Sequence, residues 1–181
     1  PIQVVIVPIW KKDDERTRVL AASSQVAETL KAAGIRVHVD DREQFAPGYK
    51  YYDWELRGVP LRLEIGPRDV EGQCTMAARR DVAGKTKLPL EGLAASVREM
   101  LDGVQRGLYE QALAYREANT RDAASLDELA EIIEAHRGFV RVWWEENAED
   151  EAKVKERTKA TLRCYPMQQP GGSGIAVNTG R

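Results

Sequence analysis

Hydrophobic and polar residues are arranged so that the first part of the chain divides into short strands and helices. Residues 3–8 (QVVIVP) form an almost continuous apolar run, which is typical of a strand buried on both faces of a parallel sheet. Apolar positions then recur at helical spacing from Val19 to Leu30, and Gly34 is a natural end for that helix. Residues 35–39 predict a second strand. These three elements together predict a βαβ unit with a right-handed crossover.

The segment YKYYDWELRGVPLRLEIGPR, residues 49–68, predicts an amphipathic helix, a turn and then the strand LRLEI at residues 61–65. Successive side chains on a strand point to opposite faces of the sheet. The three apolar residues of LRLEI therefore share one face, and Arg62 and Glu64 share the other.

A carboxylate and two guanidinium groups are expected to meet at one edge of this segment. Glu55 lies near the end of the helix, Arg62 lies on the strand, and Arg68 follows the strand. Such a mixture suits hydrogen bonding to the edge of a nucleic-acid base, and it is equally typical of a solvated rim.

Shorter elements fill the remainder of the chain. A fourth strand is predicted at residues 73–78, a fifth at 85–88, and a long helix at 91–117. Beyond it we predict helices at residues 125–136 and 149–157, strands at 138–144, 160–165 and 175–177, and a loop at 168–174. We therefore expect an α/β domain over residues 1–106. The long connecting helix and a small α+β domain would occupy residues 107–181.

Composition places the chain among soluble globular proteins, since 43% of its residues are hydrophobic and 31% are charged. No apolar run approaches the ~20 residues that span a bilayer. The two cysteines, Cys74 and Cys164, are far apart and suggest no disulfide framework, so we expect a reducing cytoplasm. The net charge is −2, but residues 57–87 contain seven basic and four acidic residues. Affinity for nucleic acid would therefore have to come from this local cluster.

Catalytic and metal-binding motifs are missing from the sequence. It contains only two histidines, His38 and His136, no arrangement that suggests a catalytic triad, and no phosphate-binding glycine loop. It has no CxxC pair, and its carboxylate clusters lack the spacing of a calcium-binding loop.

Recognition of unpaired nucleic-acid bases has more support. A guanine offers N7 and O6 to Arg or Lys, and its N1–H and N2 amino groups suit a carboxylate. Those groups are available on Glu55, Arg62, Arg68 and Lys85, and three aromatic residues nearby could stack on bases: Phe45, Tyr49 and Tyr52. Basic residues beside tyrosines are also common on ordinary protein surfaces, so both interpretations stay open on spacing alone.

Residues 40–69 (DDREQFAPGYKYYDWELRGVPLRLEIGPRD) resemble the anticodon-binding domain of prolyl-tRNA synthetases of the archaeal/eukaryotic-like form. Within this stretch the segments that carry the resemblance are PG, WEL, GVP and GP. The opening PIQVVIVPIW and the segment LPLEGL at 88–93 are similar to the same family. RGFVRVWW at 137–144 and KATLRCYPM at 159–167 are similar to its C-terminal domain, so the resemblance covers the whole chain.

The resemblance implies a fold and a binding function. The fold is the class II synthetase anticodon-binding fold, a mixed five-stranded sheet between helices, followed by a small α+β C-terminal domain. Proline anticodons end in two guanines, which such synthetases read with a Glu, an Arg and two Lys. The matching positions here are Glu55, Arg62, Arg68 and Lys85, and Arg68 stands where a lysine is frequent. An arginine there changes the available hydrogen-bond geometry.

The resemblance also implies a larger parent enzyme. That enzyme would be a cytoplasmic, homodimeric proline–tRNA ligase that activates proline with ATP and Mg²⁺ and transfers it to proline tRNA. The chain opens on a strand at Pro1, so we expect it to be a piece of a longer protein, with the catalytic domain ahead of Pro1 and a tail beyond Arg181. The 181 residues alone would carry no catalytic site.

Many relatives bind a structural zinc ion through four cysteines in the C-terminal domain. The matching positions here are Glu145, Asp150, Ala176 and Thr179. None is a cysteine, and Ala176 has no atom that can bind a metal, so we predict that zinc is absent. Cys164 lies outside the usual ligand set.

Two other functions are compatible with parts of the sequence. An anticodon-domain-like module could serve protein binding or dimerisation without recognising tRNA. A flavodoxin-type domain that binds a small molecule would need a phosphate loop after the first strand, and residues 8–12 (PIWKK) do not supply one.

Overall fold

Five strands form one mixed sheet in the computed structural model, which describes residues 1–169 and 171–181. The strands are β1 (Val4–Pro8), β2 (Val37–Val39), β3 (Leu61–Ile65), β4 (Cys74–Arg79) and β5 (Thr86–Pro89), and their order is β2-β1-β3-β4-β5. β1 runs parallel to β2 and β3, whereas β4 is antiparallel to β3 and β5. The predicted mixed five-stranded sheet is confirmed.

Four helices accompany this sheet: α1 (Asp13–Ala32), α2 (Pro47–Leu56), α3 (Pro67–Glu71) and α4 (Leu93–Ala118). β1, α1 and the parallel strand β2 form the predicted βαβ unit. The sequence pattern did not predict α3, because five residues are too few to show a helical period. Pro67 suits the first turn of α3, where no backbone N–H is needed.

The two faces of the sheet are covered by different helices. Val4, Ile6 and the apolar residues of β3 pack with residues of α1 and α4 on one face. Val5 and Val7 pack on the other face with Trp54 of α2. Fully burying a Val, Leu or Ile side chain stabilises the folded state by ~1.5–3 kcal/mol. The alternation of β3 therefore fixes which of its faces packs against α1 and α4.

Strand register determines where the polar residues of β3 lie. Arg62 is paired with Val5 of β1 and Ala78 of β4, and Glu64 is paired with Val7 and Met76. Arg62 and Glu64 therefore lie on the same face of the sheet as Val5 and Val7, which is the face covered by α2.

Residues separate into two compact units, Pro1–Glu110 and Gln111–Arg181, and α4 contributes to both. The second unit contains β6 (Thr120–Asp122), α5 (Leu126–Ala135), β7 (Phe139–Arg141) and α6 (Ala148–Thr158). β6 and β7 are parallel, and Ala123, Leu129 and Val154 form the centre of a small core. Ser125 caps the amino end of α5, because its hydroxyl accepts a hydrogen bond from the N–H of Glu128 at 3.2 Å.

Several predicted strands of the second unit are wrong or shortened. Residues 160–165 form no strand, and Leu162 and Tyr165 are exposed, so their alternation lacks a partner strand to cover an apolar face. The strand predicted at 138–144 is reduced to β7. The one predicted at 175–177 is reduced to a single bridge between Trp143 and Ala176. The predicted loop at 168–174 includes position 170, which lies outside the described residues.

β6 was missed by the sequence pattern, since three residues are too few to establish an alternation. No helix within the described residues combines the length and the hydrophobicity needed to cross a bilayer.

Candidate nucleic-acid interface

Glu64 is the centre of a cluster of charged side chains on β3. Its Oε1 accepts a hydrogen bond from Nε of Arg62 at 3.1 Å, and its Oε2 accepts one from Nζ of Lys85 at 2.6 Å. Arg62 and Glu64 are two residues apart on one strand, which brings their side chains to the same face. Lys85 belongs to the turn between β4 and β5. One carboxylate, 6% exposed, therefore forms ion pairs with two cations.

Glu55 adds a second carboxylate to this cluster. It lies in the last turn of α2, and its Oε1 accepts a hydrogen bond from Nη1 of Arg62 at 3.0 Å. The chain reverses directly after it, because Gly58 has a φ of +79° that favours glycine, and Pro60 precedes β3. The Glu55 side chain is 47% exposed, whereas that of Arg62 is 12% exposed. Glu55 is therefore the carboxylate of the cluster that solvent and ligands can reach.

The ring of Tyr51 packs against the two cations, Arg62 and Lys85. The guanidinium carbon of Arg62 lies 3.9 Å from the centre of its ring, and Nζ of Lys85 lies 5.3 Å from it. Aromatic faces attract such cations and restrict their orientation. Burial and the nearby carboxylate of Glu64 raise the pKa of Tyr51 well above its usual range, so its phenol stays neutral at physiological pH.

An open groove of ≈ 390 Å³ lies beside the cluster, lined by Glu55, Arg62 and residues 78–85 of the β4–β5 turn. Arg79 and Asp81 stiffen this turn through two hydrogen bonds of 2.9 and 2.5 Å. This pairing raises the pKa of Arg79 and lowers that of Asp81, so both remain charged. Gly103 of α4 makes room for the pair, because a Cβ there would lie 2.9 Å from Nη1 of Arg79.

Arg68 is separated from the other three predicted base readers. It is exposed on α3, which follows the carboxyl end of β3, whereas Arg62 lies near the amino end of that strand. Within the residues that the structure describes, its side chain forms no ion pair. The structure therefore brings Glu55, Arg62 and Lys85 together and places Arg68 apart from them.

Aromatic residues line the start and the outer face of α2. The rings of Phe45 and Tyr49 are stacked, with centres 4.4 Å apart, and the guanidinium group of Arg42 lies over Phe45 at 5.0 Å. Tyr49 and Tyr52 are 53% and 75% exposed, so both of the tyrosines proposed as stacking residues can be reached from solvent.

A second charged network fixes α2 to the sheet. Asp40, which follows β2, is completely buried, and its carboxylate accepts hydrogen bonds from Arg42 and from Nε1 of Trp54. Burial raises the pKa of Asp40, but these hydrogen bonds lower it by more, to about 2. Nζ of Lys50 donates to the backbone oxygen of Asp40 at 3.0 Å, and burial lowers the pKa of Lys50. Sequence reasoning assigned this network no role.

The four positions that the family resemblance aligns with zinc ligands lie in the second unit. Zinc normally takes four S, N or O donors, and Ala176 has none. Asn178 joins this neighbourhood instead: its side chain accepts from the N–H of Glu145 at 3.1 Å and donates to the backbone oxygen of Glu145 at 2.9 Å. It also donates to Oδ2 of Asp150 at 3.4 Å. Glu145, Asp150, Ala176 and Thr179 therefore do not fit a zinc site. Among the described residues, no three His, Cys, Asp or Glu side chains are grouped so as to hold a metal ion.

Two sequence profiles of known families match the chain. The sequence profile described as "Anticodon binding domain" matches residues 3–100, which include the whole sheet. The chain belongs to this family. A second profile, described as "Prolyl-tRNA synthetase, C-terminal", matches residues 126–181. The resemblance to the anticodon-binding and C-terminal domains of prolyl-tRNA synthetases is thereby confirmed.

Relatives of this anticodon-binding chain are named as proline–tRNA ligases. The chain is 48% identical to one from Chloroflexus aurantiacus over 100% of this chain and 38% of that protein. It is 46% identical to the chloroplastic/mitochondrial enzyme of Arabidopsis thaliana, over 99% of this chain and 34% of that enzyme. Proline–tRNA ligase 2 of Clostridioides difficile is 43% identical over 93% of this chain and 34% of its own length. The chain thus spans little more than a third of these relatives.

Glu64 and Tyr51 were not identified as site residues from the sequence. Glu64 had a detectable signal, because it alternates with Arg62 on β3. Tyr51 had none, since its position beneath Arg62 depends on how α2 packs against the sheet.

Proposed function

We propose that the first unit binds the anticodon loop of proline tRNA and reads the two guanines that end its anticodon. The observation that carries this proposal is the convergence of Glu55, Arg62 and Lys85 beside an open groove. Guanine combines two acceptors, N7 and O6, with donors at N1 and N2. One reachable carboxylate next to two cations is the complement of that pattern.

Charge and aromatic groups around the cluster support binding of a single-stranded loop. Tyr49 and Tyr52 are exposed on α2, the helix that also carries Glu55, and bases extruded from a loop commonly stack on such rings. Arg80 is exposed in the groove and offers its charge to the phosphate backbone. Arg68, at the other end of β3, would then contact a nucleotide at a distance from the one held by Arg62.

The parent protein, in this proposal, is a cytoplasmic, dimeric ligase that forms prolyl-adenylate from proline, ATP and Mg²⁺ and transfers proline to its tRNA. These 181 residues would supply tRNA discrimination, and the chemistry would belong to a separate catalytic domain. Similarity to proline–tRNA ligases along the whole chain favours this function over a module for protein binding or dimerisation.

Binding of the 181-residue chain to two fluorescently labelled RNAs tests the proposal. One RNA is proline tRNA, and the other is the same tRNA with both anticodon guanines replaced by adenines. Adenine lacks the O6 acceptor and the N2 amino donor, so we expect at least tenfold weaker binding of the second RNA. Equal affinities for the two RNAs over a range of salt concentrations would refute anticodon reading.

A further inference from the structure

Part of the guanidinium group of Arg62 is available for a ligand. Glu64 accepts from Nε, Glu55 accepts from Nη1, and Nη2 has no hydrogen-bond partner within the described residues. Glu64 is buried and Glu55 is half-exposed. The bond to Glu64 therefore fixes the plane of the guanidinium, whereas the bond to Glu55 can exchange for a ligand.

Lys85 is fixed by the same carboxylate. Its Nζ lies 2.6 Å from Oε2 of Glu64, and its side chain is 43% exposed. Without Glu64, a lysine on an exposed turn would sample many rotamers, at a cost in entropy whenever a ligand immobilised it. Glu64 thus orders two cations with one buried charge, and the ring of Tyr51 limits both from below.

We propose that Glu64 is the positioning residue of this site, and that Glu55 is an exchangeable partner which leaves Arg62 when a guanine binds. The proposal rests on the proposed function. On binding, the Glu55 carboxylate turns from Nη1 of Arg62 to N1–H and the N2 amino group of the base. Nη1 and Nη2 then form a fork for O6 and N7 of a guanine, and Nε stays bonded to Glu64. One ionic hydrogen bond, between Glu55 and Arg62, is broken and four form to the base, so both charges have partners in the complex.

This arrangement makes a prediction that distinguishes positioning from simple charge. Glu64 is an anion in an RNA-binding surface, so if it contributed charge alone, its removal would tighten binding to every RNA. A positioning residue has the opposite effect on the cognate RNA, because the two cations lose their common orientation. The readout is therefore the ratio of affinities for two anticodon stem-loops, one with the two guanines and one with adenines in their place.

Glu64→Gln is the test variant, since glutamine keeps the size of the side chain and removes its charge. We expect the affinity for the guanine loop to fall about tenfold, the loss of one well-oriented base contact, while the affinity for the adenine loop stays equal or rises. A variant that binds both loops more tightly with an unchanged ratio would overturn the positioning role. If the unaltered chain itself shows no preference for the guanine loop, the proposed function fails, and the two failures are thereby distinguished.

A second pair of variants keeps the test decisive should Glu64→Gln fail to fold. Tyr51→Leu removes the ring beneath Arg62 and Lys85, and Tyr51→Phe keeps the ring and removes only the hydroxyl. We expect Tyr51→Leu to lower the ratio of affinities severalfold and Tyr51→Phe to preserve it. Equal ratios for the two Tyr51 variants, with unfolding temperatures that confirm both are folded, would contradict a fixed platform for the cations.

Discussion

The indole Nε1 of Trp54 donates a hydrogen bond to Oδ2 of the buried Asp40 carboxylate across 2.7 Å. This bond joins the residue after β2 to the last turn of α2, the helix that carries Glu55 and Tyr51. Arg42 binds the same carboxylate with two further hydrogen bonds of 2.8 Å. We therefore expect the position of the proposed base-reading cluster to depend on this charge network, because both are attached to α2.

Replacing Asp40 with asparagine should destabilise the first unit by about 2 kcal/mol, because the change leaves the cation of Arg42 without its buried partner. Denaturant unfolding monitored by tryptophan fluorescence measures the loss. Asp41→Asn is the matched control, since it removes the same charge from the neighbouring exposed residue. Equal effects of the two substitutions would show that the network around Asp40 contributes nothing specific.

Acid should weaken the same network. The pKa of Asp40 falls from its ordinary 3.8 to about 2 on folding. The contribution of the ionised carboxylate to the free energy of unfolding is therefore fully present above pH about 4. That contribution should be lost as the pH drops from about 4 to about 2, with a total of about 2 kcal/mol. The difference in unfolding free energy between the unaltered chain and Asp40→Asn, measured across this range, isolates it from the other carboxylates. A difference that does not change with pH would contradict the proposed ionisation.

Asn178 is expected to stabilise the second unit near the positions that the family resemblance aligns with zinc ligands. Its side chain links Glu145 and Asp150 through three hydrogen bonds. Asn178→Ala should lower the free energy of unfolding by about 0.5–1.5 kcal/mol, because its hydrogen bonds to the exposed Glu145 are lost. Asn147→Ala is the comparison, because Asn147 caps α6 through one hydrogen bond to the N–H of Glu149. Equal losses of stability for the two substitutions would show that Asn178 has no special role in this unit.

The purified chain is also expected to contain no stoichiometric zinc. Elemental analysis measures the metal directly, and thermal unfolding with and without a chelator measures its contribution to stability. One zinc per chain, or a large chelator-induced drop in unfolding temperature, would contradict this prediction.

Arg68 is predicted to contact RNA through an exposed guanidinium group on α3. Arg68→Ala should lower the affinity for the guanine loop by about 1 kcal/mol or more, whereas Arg68→Lys should retain most of it through charge. Arg18→Ala on α1 removes the same charge from an exposed residue outside the interface and serves as the control. An Arg68→Ala variant that matches Arg18→Ala would remove Arg68 from the site.

Parts of this structure could be predicted from sequence because they obey a local period. The alternation of LRLEI placed Arg62 and Glu64 on one face, and the helical spacing of α1 gave the βαβ unit. Contacts that depend on tertiary packing could not be predicted: the ring of Tyr51 meets Arg62 only because α2 covers that face of the sheet. The strand predicted at 160–165 is wrong because its alternating pattern is local, whereas a strand also needs a partner strand, and residues 160–165 pair with none.

Reading of a guanine by Arg62 can be tested with a double-mutant cycle. The cycle combines Arg62→Ala in the protein with the change from guanine to adenine in the RNA. The affinities of the unaltered chain and of Arg62→Ala are measured for the guanine and adenine stem-loops at one salt concentration, with Arg18→Ala as the control for lost charge. Arg62→Ala should cost ~1–3 kcal/mol of binding free energy with the guanine loop and only a small fraction of that with the adenine loop. An equal loss with both loops would show that Arg62 contributes charge alone, and anticodon reading by this residue would be contradicted.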